Sequence, residues 1–368
     1  MKVLVTGAGG FVARNLIAAL GERGGVEVLP FTRGDGEAVL RQHVAQADFV
    51  FHLAGVNRPE SIEEFKAGNT DLTRLLCDTL SAEGRLIPVV YSSSTQALTD
   101  NPYGASKRAA EELLQQFSAK HGVPVYLFRL PNVFGKWARP NYNSAVATFC
   151  HNIARGLPIQ IHDPAAMMQL VYIDDVVAHF IQAMNDQAAG SPFIEVDPVY
   201  RISVGGLAEQ LQAFRNSRAN LIMDAVGTGL IRALYATYVS YLPPESFAYE
   251  VPKHEDRRGV FVEMLKTRDS GQFSFLTAHP GVTRGGHYHH SKTEKFLVIK
   301  GQARFRFRHI IDGSYHELTT SGDSPVIVET VPGWTHDITN IGSDEMVVML
   351  WANEIFDHAR PDTFACPV

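Results

Sequence analysis

The hydrophobic pattern of this chain changes near residue 242, and this change constrains the fold more than any other feature. Before it, short apolar runs alternate with stretches of helical spacing, which is the pattern of βαβ units around a parallel sheet. After Pro252, short β-rich segments are separated by Gly, Pro, Asp and Ser, which is typical of a small barrel or jelly roll. We therefore predict a Rossmann-like, doubly wound α/β domain over residues 1–243 and an all-β domain over residues 244–368.

Apolar runs and helical spacing locate individual elements in both predicted domains. The strands predicted in the first domain are residues 3–6, 26–32, 49–53, 87–92 and 125–129. The predicted helices are residues 11–20, 72–82, 103–121, 176–185 and 230–241, the fourth capped by Asp174 and Asp175. The strands predicted in the second domain are residues 259–265, 272–278, 296–299, 303–307, 326–330 and 346–351.

Composition and charge argue against several classes of protein. A net charge of −6 provides no basic surface, so no nucleic-acid partner is expected. No apolar run reaches the roughly 20 residues of a membrane helix, and the N-terminus lacks a signal-peptide pattern. Three widely spaced cysteines without a CxxC pair indicate neither disulfides nor a thiolate zinc site. We expect a cytoplasmic protein with no membrane partner.

A glycine-rich loop joins the first predicted strand to the first helix. Gly7 permits a tight turn, and Gly10 lets a pyrophosphate approach backbone N–H groups at the helix N-terminus. The second strand is followed by Arg33 rather than by an acidic residue, and Arg14 lies in the first helix. Both arginines could be solvated surface residues. They could also meet a 2′-phosphate, so the sequence favours NADPH as cofactor.

Tyr103 and Lys107 are four residues apart on a predicted helix and therefore share one face. An ammonium group near a phenol favours the phenolate, so Lys107 is expected to lower the pKa of Tyr103. Ser94, near the end of the preceding strand, can hydrogen-bond the reacting oxygen. These three residues are the predicted catalytic set for protonating a carbonyl oxygen as a hydride arrives from NADPH.

With these motifs, residues 1 to about 240 resemble the nucleotide-sugar branch of the extended short-chain dehydrogenase/reductase family. Residues 52–55, 129–135 and 171–176 extend the resemblance, as does Asn69. The distance from Ser94 to Tyr103 is shorter than in most members, which leaves the choice between Ser93 and Ser94 open. The resemblance implies that Asn132 contacts the sugar nucleotide. It also implies that the cofactor meets Phe11, Val12, Leu53, Ala54, Lys107 and Pro131.

Nine of the 15 histidines follow residue 252, and three of them form a metal-ligand pattern with one glutamate. His287 and His289 are two residues apart, so in a strand they face the same side. Together with Glu294 and His336 they offer three imidazoles and a carboxylate, a set suited to Zn²⁺ or another divalent metal.

This pattern resembles the cupin superfamily, and residues 256–263 add a resemblance to nucleotide-sugar 3,5-epimerases. In those epimerases the residue matching His287 is a base without metal, whereas in metal cupins that position is a ligand. A ligated imidazole cannot also take a proton. If metal is bound, Tyr288, His290 and Lys295 are the candidate acid/base residues, and the sequence does not choose among them.

The whole chain resembles bifunctional reductase/epimerases of capsule and O-antigen synthesis that make the precursor of UDP-N-acetyl-L-fucosamine. The resemblance implies a homodimer and a substrate of the UDP-2-acetamido-2,6-dideoxy-hexos-4-ulose type. It implies C3 epimerisation in the cupin, followed by NADPH-dependent reduction to UDP-2-acetamido-2,6-dideoxy-L-talose. Two alternatives stay open: an NAD-linked epimerase or dehydratase, and a sugar-nucleotide-binding protein whose cupin is structural.

Overall fold

A computed structural model describes residues 1–186, 192–324, 326–359 and 361–368, and these residues form two compact units. The first unit comprises Met1–Leu211 and Arg232–Pro243, and the second comprises Gln212–Ile231 and Pro244–Val368. The predicted division at residue 243 coincides with one of these boundaries, but it assigned residues 212–231 to the first domain. Their place in the second unit has a physical reason, since Ile222–Met223 pairs in parallel with residues 266 and 267.

The first unit contains a six-stranded sheet with parallel pairing throughout and the order β2-β1-β3-β4-β5-β8. The same unit contains a three-stranded sheet with the order β6-β7-β9. The strands of the two sheets are β1 (Lys2–Thr6), β2 (Glu27–Phe31), β3 (Phe49–His52), β4 (Val89–Ser94), β5 (Val125–Leu130), β6 (Asn132–Phe134), β7 (Met167–Tyr172), β8 (Phe193–Ile194) and β9 (Tyr200–Ser203).

Helices connect the strands, as a parallel sheet requires. The helix Leu72–Ala82 is preceded by a π-helical turn, Lys66–Asp71, and short 3₁₀ helices occur at Thr95–Leu98 and Pro244–Ser246. No described helix is both long and apolar enough to cross a membrane. The α-helices are α1 (Phe11–Gly21), α2 (Glu37–Gln46), α3 (Glu63–Phe65), α4 (Leu72–Ala82), α5 (Pro102–His121), α6 (Ala145–Ala154), α7 (Ile173–Asp186), α8 (Val204–Asn220) and α9 (Gly229–Val239).

One predicted helix boundary is wrong. Helix α7 begins at Ile173, directly after the last residue of β7, so Asp174 and Asp175 lie in its first turn rather than before it. Carboxylates in a first turn still favour a helix, because they face the positive end of its dipole.

The second unit consists of two β-sheets that share an apolar core. One sheet has the order β10-β12-β13-β20-β15-β18, with β11 paired to β12, and the other has the order β17-β16-β19-β14-β21. Leu276 and Val348 from the first sheet pack with Phe305 and Ile338 from the second. The strands are β10 (Ile222–Met223), β11 (Lys253–Asp256), β12 (Gly259–Thr267), β13 (Gly271–Ala278), β14 (Thr283–Tyr288), β15 (Glu294–Lys300), β16 (Gln302–His309), β17 (Tyr315–Ser321), β18 (Ile327–Glu329), β19 (Trp334–Asn340), β20 (Met346–Ala352) and β21 (Phe364–Ala365).

Candidate active site and metal centre

The glycine loop of the first unit brings backbone close to backbone. Gly7 has a φ of +68°, and a Cβ there would lie 2.7 Å from the Cα of Ala54. Gly10 is the N-cap of α1, and its N–H donates to the carbonyl of Gly7 at 2.8 Å. The helix therefore begins at the carboxyl edge of the parallel sheet, where its N-terminal amides can receive an anion.

The predicted cofactor residues gather along this edge. Phe11 and Val12 open α1, while Leu53 and Ala54 follow the last residue of β3. Pro131 comes directly after β5 and is partly buried. Carboxyl ends of parallel strands meet at one edge of a sheet, which explains why residues far apart in sequence converge there.

Two predicted residues near the edge have partners of their own. Arg14 is exposed, and its Nη2 donates to the carbonyl of Trp137 at 2.7 Å. The Arg33 side chain is 86% exposed, with a loose contact of 3.7 Å to Glu64. Both guanidinium groups are thus accessible to an anionic ligand.

Tyr103, Ser94 and Lys107 come together because α5 begins close to the end of β4. Asn101 caps α5 by accepting from the Gly104 N–H at 2.8 Å. The Ser94 hydroxyl accepts from the Gln96 N–H at 3.2 Å and lies close enough to the Tyr103 phenol to act on its pKa. Lys107, only 5% exposed, donates from Nζ to the carbonyl of Ser92 at 2.9 Å. The structure therefore brings the predicted catalytic set together.

The electrostatics of this set differ from the sequence-based expectation. Burial raises the pKa of Tyr103 above its ordinary value of 10.0, with the Ser94 hydrogen bond acting in the opposite direction. Burial also lowers the pKa of Lys107 from 10.5 to about 8, opposed by the carboxylate of Glu111. The expected lowering of the Tyr103 pKa by Lys107 is not found, because desolvation dominates. Tyr103 is therefore protonated at neutral pH and can donate its proton.

A buried ion pair engages Ser93 and so favours Ser94 as the serine of the predicted catalytic set. Ser93 donates its hydroxyl to Oε1 of Glu111 at 2.5 Å, and Glu111 also receives two guanidinium nitrogens of Arg129. Adjacent residues of a strand point to opposite sides, so Ser94 is the hydroxyl on the Tyr103 side.

Asn69 lies in the π-helical turn before α4 and connects the loop after β3 to α5. Its Oδ1 accepts from the Val56 N–H at 2.8 Å, and its Nδ2 donates to the Ser106 hydroxyl at 2.9 Å. Ser106 precedes Lys107, so this amide fixes the loop after β3 beside the lysine. A π-helical turn at such a point is a common feature of functional sites. Asn132, the predicted substrate contact, is exposed and donates from Nδ2 to the carbonyl of Gln169 at 3.2 Å.

In the second unit, the four predicted metal ligands form one cluster. One potential ligand atom from each of His287, His289, Glu294 and His336 lies within 4.8 Å of the others. His287 in β14 is the cross-strand partner of His336 in β19, and their ring centroids are 4.8 Å apart. Glu294 begins β15 in the opposite sheet, so the cluster lies between the two sheets.

A β-bulge directs His287 into this cluster. The register of β14 on β19 shifts between Gly285 and His287. Gly285 has a φ of +94°, and a Cβ there would lie 2.9 Å from the carbonyl oxygen of His336. Only glycine accommodates both the left-handed φ and this close approach.

The donor atoms of the cluster fit a cation. The Nδ1 of His289 lies 2.6 Å from the carbonyl of Asp362, which can only accept, so Nδ1 carries the proton. The Nε2 lone pair then faces Oε2 of Glu294 at 3.4 Å. Both atoms are acceptors, and a cation bound between them would offset their repulsion. Among the described residues, neither ring nitrogen of buried His336 has a hydrogen-bond partner, and Glu294 is no nearer than 3.5 Å.

Lys292 is a buried residue of this site that the sequence reasoning missed. It is 7% exposed, and its Nζ lies 3.1 Å from Oε1 of Glu294. Burial opposes ionisation of Glu294, but its surroundings, the neighbouring ammonium of Lys292 among them, hold its pKa well below the usual range. Burial and the neighbouring His336 lower the pKa of His287 to about 4. At neutral pH the cluster therefore offers a carboxylate and a neutral His287, the forms in which these groups bind metal.

The contacts described for the three candidate acid/base residues are with residues outside the four-ligand cluster. Tyr288 and His290 alternate with the ligands along the chain and pack on Phe364, with ring centroids 5.4 and 4.9 Å away. Lys295 follows Glu294 in β15, and its exposed ammonium pairs with Glu329. Tyr288 follows His287 in β14 and Lys295 follows Glu294 in β15, so strand alternation directs these two side chains away from the ligand side.

A cleft of about 530 Å³ lies beside the β11–β12 hairpin of this unit. Its lining includes three basic residues, Lys253, Arg258 and Arg284, and two acidic residues, Glu255 and Asp256. Asp256 pairs with Arg258, whereas Nε of Arg284 is buried without a hydrogen-bond partner among the described residues. Arg284 lies three residues before His287 in β14, so the cleft adjoins the ligand strand.

The fold and both sites define the class of protein. The chain belongs to the NAD dependent epimerase/dehydratase family, whose pattern matches residues 3–196. Residues 254–364 match the polysaccharide biosynthesis C-terminal domain. These matches, with the relatives below, confirm the predicted fold class and the predicted resemblance.

Individual relatives extend the similarity over the full chain. The sequence is 65% identical over 368 residues to the UDP-2-acetamido-2,6-beta-L-arabino-hexul-4-ose reductase of Pseudomonas aeruginosa, covering 100% of this chain and 99% of the relative. The crystal structure of the capsular polysaccharide assembling protein CapF from Staphylococcus aureus shares 40% identity, full coverage of both chains and a TM-score of 0.93. UDP-glucuronic acid 4-epimerase from Bacillus cereus, 18% identical with a TM-score of 0.57, covers 66% of this chain and 98% of its own, and shares the fold alone.

Proposed function

We propose that this protein reduces the C4 ketone of a UDP-2-acetamido-2,6-dideoxy-hexos-4-ulose to UDP-2-acetamido-2,6-dideoxy-L-talose with NADPH, after C3 epimerisation in the second unit. The similarity to the Pseudomonas reductase supports a nucleotide-sugar oxidoreductase with a nicotinamide cofactor. One observation carries the finer proposal: Ser94, Tyr103 and Lys107 lie together at the carboxyl edge of the parallel sheet.

The reductase chemistry follows from the state of each side chain. Bound NADPH supplies the hydride. Tyr103 keeps its proton at neutral pH and donates it to the ketone oxygen, while Ser94 holds that oxygen in place by a hydrogen bond. Lys107 is charged below about pH 8 and sits where it can hold the cofactor ribose. Arg33 and Arg14 are exposed cations suited to a 2′-phosphate, which supports NADPH over NADH.

The second unit supplies the conditions for moving a proton beside a ketone. A divalent cation such as Zn²⁺, held by His287, His289, Glu294 and His336, would stabilise developing charge on the ketone oxygen. We propose that Arg284, in the cleft beside the β11–β12 hairpin, binds the diphosphate of the substrate, because guanidinium groups pair with phosphate oxygens. The base stays unassigned among Tyr288, His290 and Lys295, whose described contacts are with Phe364 and Glu329.

The deciding experiment mixes the protein, NADPH and the UDP-4-keto-6-deoxy amino sugar in D2O. Loss of NADPH absorbance together with one deuterium at C3 of the product is the expected result. In Tyr103→Phe, NADPH oxidation should fall by about 10²- to 10⁴-fold, the typical contribution of a general acid, while C3 exchange persists. Disappearance of exchange in this variant would contradict the division of labour between the two units.

The same assay separates the alternatives. An NAD-linked epimerase or dehydratase would return its hydride to the sugar and consume no NADPH. NADPH loss without deuterium incorporation would support the reductase activity and indicate that the second unit has only a structural role. A homodimer is part of the proposal, and light scattering after size exclusion tests it.

A further inference from the structure

The last residues of the chain bind both strands that carry the histidine ligands. Strand β21 pairs with β14 and places Ala365 opposite His287. The Cys366 N–H donates to the Gly286 carbonyl at 2.9 Å, and the Thr335 hydroxyl, next to His336 in β19, donates to the Cys366 carbonyl. The C-terminal segment, residues 361–366, therefore forms part of the wall around the cluster.

Asp362, within this segment, holds the loop that follows His289. Its Oδ1 accepts from the His290 N–H at 3.0 Å, and its Oδ2 accepts from the N–H groups of Ser291 and Lys292 at 2.9 and 2.8 Å. The Ser291 hydroxyl adds a bond of 2.9 Å. One carboxylate thus fixes three successive backbone amides, and the third belongs to the lysine whose ammonium contacts Glu294.

The backbone of the same residue fixes a ligand directly. The Asp362 carbonyl accepts from Nδ1 of His289 at 2.6 Å, which leaves Nε2 as the nitrogen that faces the cluster. Asp362 has a φ of +31°, in the left-handed region that costs an ordinary residue about 1 kcal/mol or more. Strain of this kind persists only where the surroundings over-determine the conformation, and here five hydrogen-bond donors do so.

We propose that Asp362 is a positioning residue of the metal centre, and that the C-terminal segment clamps the ligand set. Its carbonyl selects the tautomer of His289, and its carboxylate sets the path of the loop from His289 to Glu294. Partners that orient ligands in this way commonly change metal affinity by about 10- to 100-fold. The inference rests on the proposed metal site and concerns binding of the ion rather than turnover.

The test measures Zn²⁺ affinity of the full-length protein, stripped of metal, by competition with a chromophoric chelator. Asp362→Ala should bind Zn²⁺ about 10- to 100-fold more weakly than the wild type. The matched control is Asp357→Ala, whose exposed carboxylate accepts only a local bond, from the Ala359 N–H at 2.9 Å, among the contacts described. Its affinity should equal that of the wild type.

The visible bands of bound Co²⁺ provide a readout that a general loss of stability would not move, because they report ligand geometry. Altered bands in Asp362→Ala and unaltered bands in Asp357→Ala are expected. Equal Zn²⁺ affinity and equal Co²⁺ bands in both variants would overturn the clamp. If Asp362→Ala does not fold, Asp362→Asn decides: an intermediate affinity supports the clamp, and wild-type affinity overturns it. A wild type that binds no metal would overturn the metal site and the clamp together.

Discussion

At the scale of single residues, burial sets the protonation of Tyr103, Lys107 and His287, whereas the surroundings of Glu294 outweigh its burial. Desolvation raises the pKa of Tyr103 and lowers that of Lys107, although the two lie on one helix face. Desolvation also keeps His287 neutral. Sequence spacing predicted which residues share a face or a strand but not their protonation, because burial depends on contacts made by distant parts of the chain.

The pH dependence of ketone reduction follows from Lys107. Its pKa of about 8 means that the ammonium is present below this pH and is lost as the pH rises through it. Tyr103, with a raised pKa, stays protonated over the same range. We expect kcat/KM for NADPH oxidation to fall above about pH 8, as measured in a series of buffers.

A replacement that cannot lose its charge provides the control for this alkaline limb. In Lys107→Arg the guanidinium stays protonated, so whatever activity remains should continue to a higher pH. An unchanged limb in that variant would assign the titration to another group, and the role given to Lys107 would fail.

At the scale of elements, strong periodicity was predictable and irregular geometry was not. The five predicted strands of the parallel sheet and helix 72–82 agree with the structure to within two residues. The short polar helix α2 and the strands β14 and β19 carry weak apolar signals and were not predicted as elements, although β14 and β19 contain predicted metal ligands. The bulge in β14 has only two adjacent glycines as a sequence signal, and its register depends on β19, some fifty residues later.

The bulge gives an element-scale prediction. Gly285→Ala places a Cβ 2.9 Å from the His336 carbonyl at a φ of +94°, so β14 must shift. Strain of about 1–3 kcal/mol should lower the stability of the protein, and the displaced His287 should weaken Zn²⁺ binding. Thermal unfolding with and without Zn²⁺ measures both effects.

Gly313→Ala is the matched substitution, because Gly313 has a φ of +74° with open space around its Cβ position. It should show the smaller cost of a left-handed φ alone and no loss of Zn²⁺ affinity. Equal behaviour of the two variants would mean that the bulge does not direct His287.

At the scale of the whole molecule, two units with separate cores carry two halves of one proposed conversion. Apolar residues such as Leu276, Val298 and Phe305 form the core of the second unit, and their packing does not require an ion at the proposed metal site. Removal of metal should therefore leave this unit folded while disabling its chemistry. This separates a catalytic role of the metal from a structural one.

Chelation tests that separation. C3 exchange between the keto sugar and D2O should disappear from the chelated enzyme and return with Zn²⁺, since the ketone oxygen loses the charge that stabilises it. NADPH oxidation with a ketone already epimerised at C3 should continue at the untreated rate. Epimerisation is close to balanced while hydride transfer runs downhill, so reduction draws the epimer forward only when both units act. If chelation does not change turnover of the unepimerised substrate, the second unit has a structural role instead. Circular dichroism of the chelated protein verifies that both units are still folded.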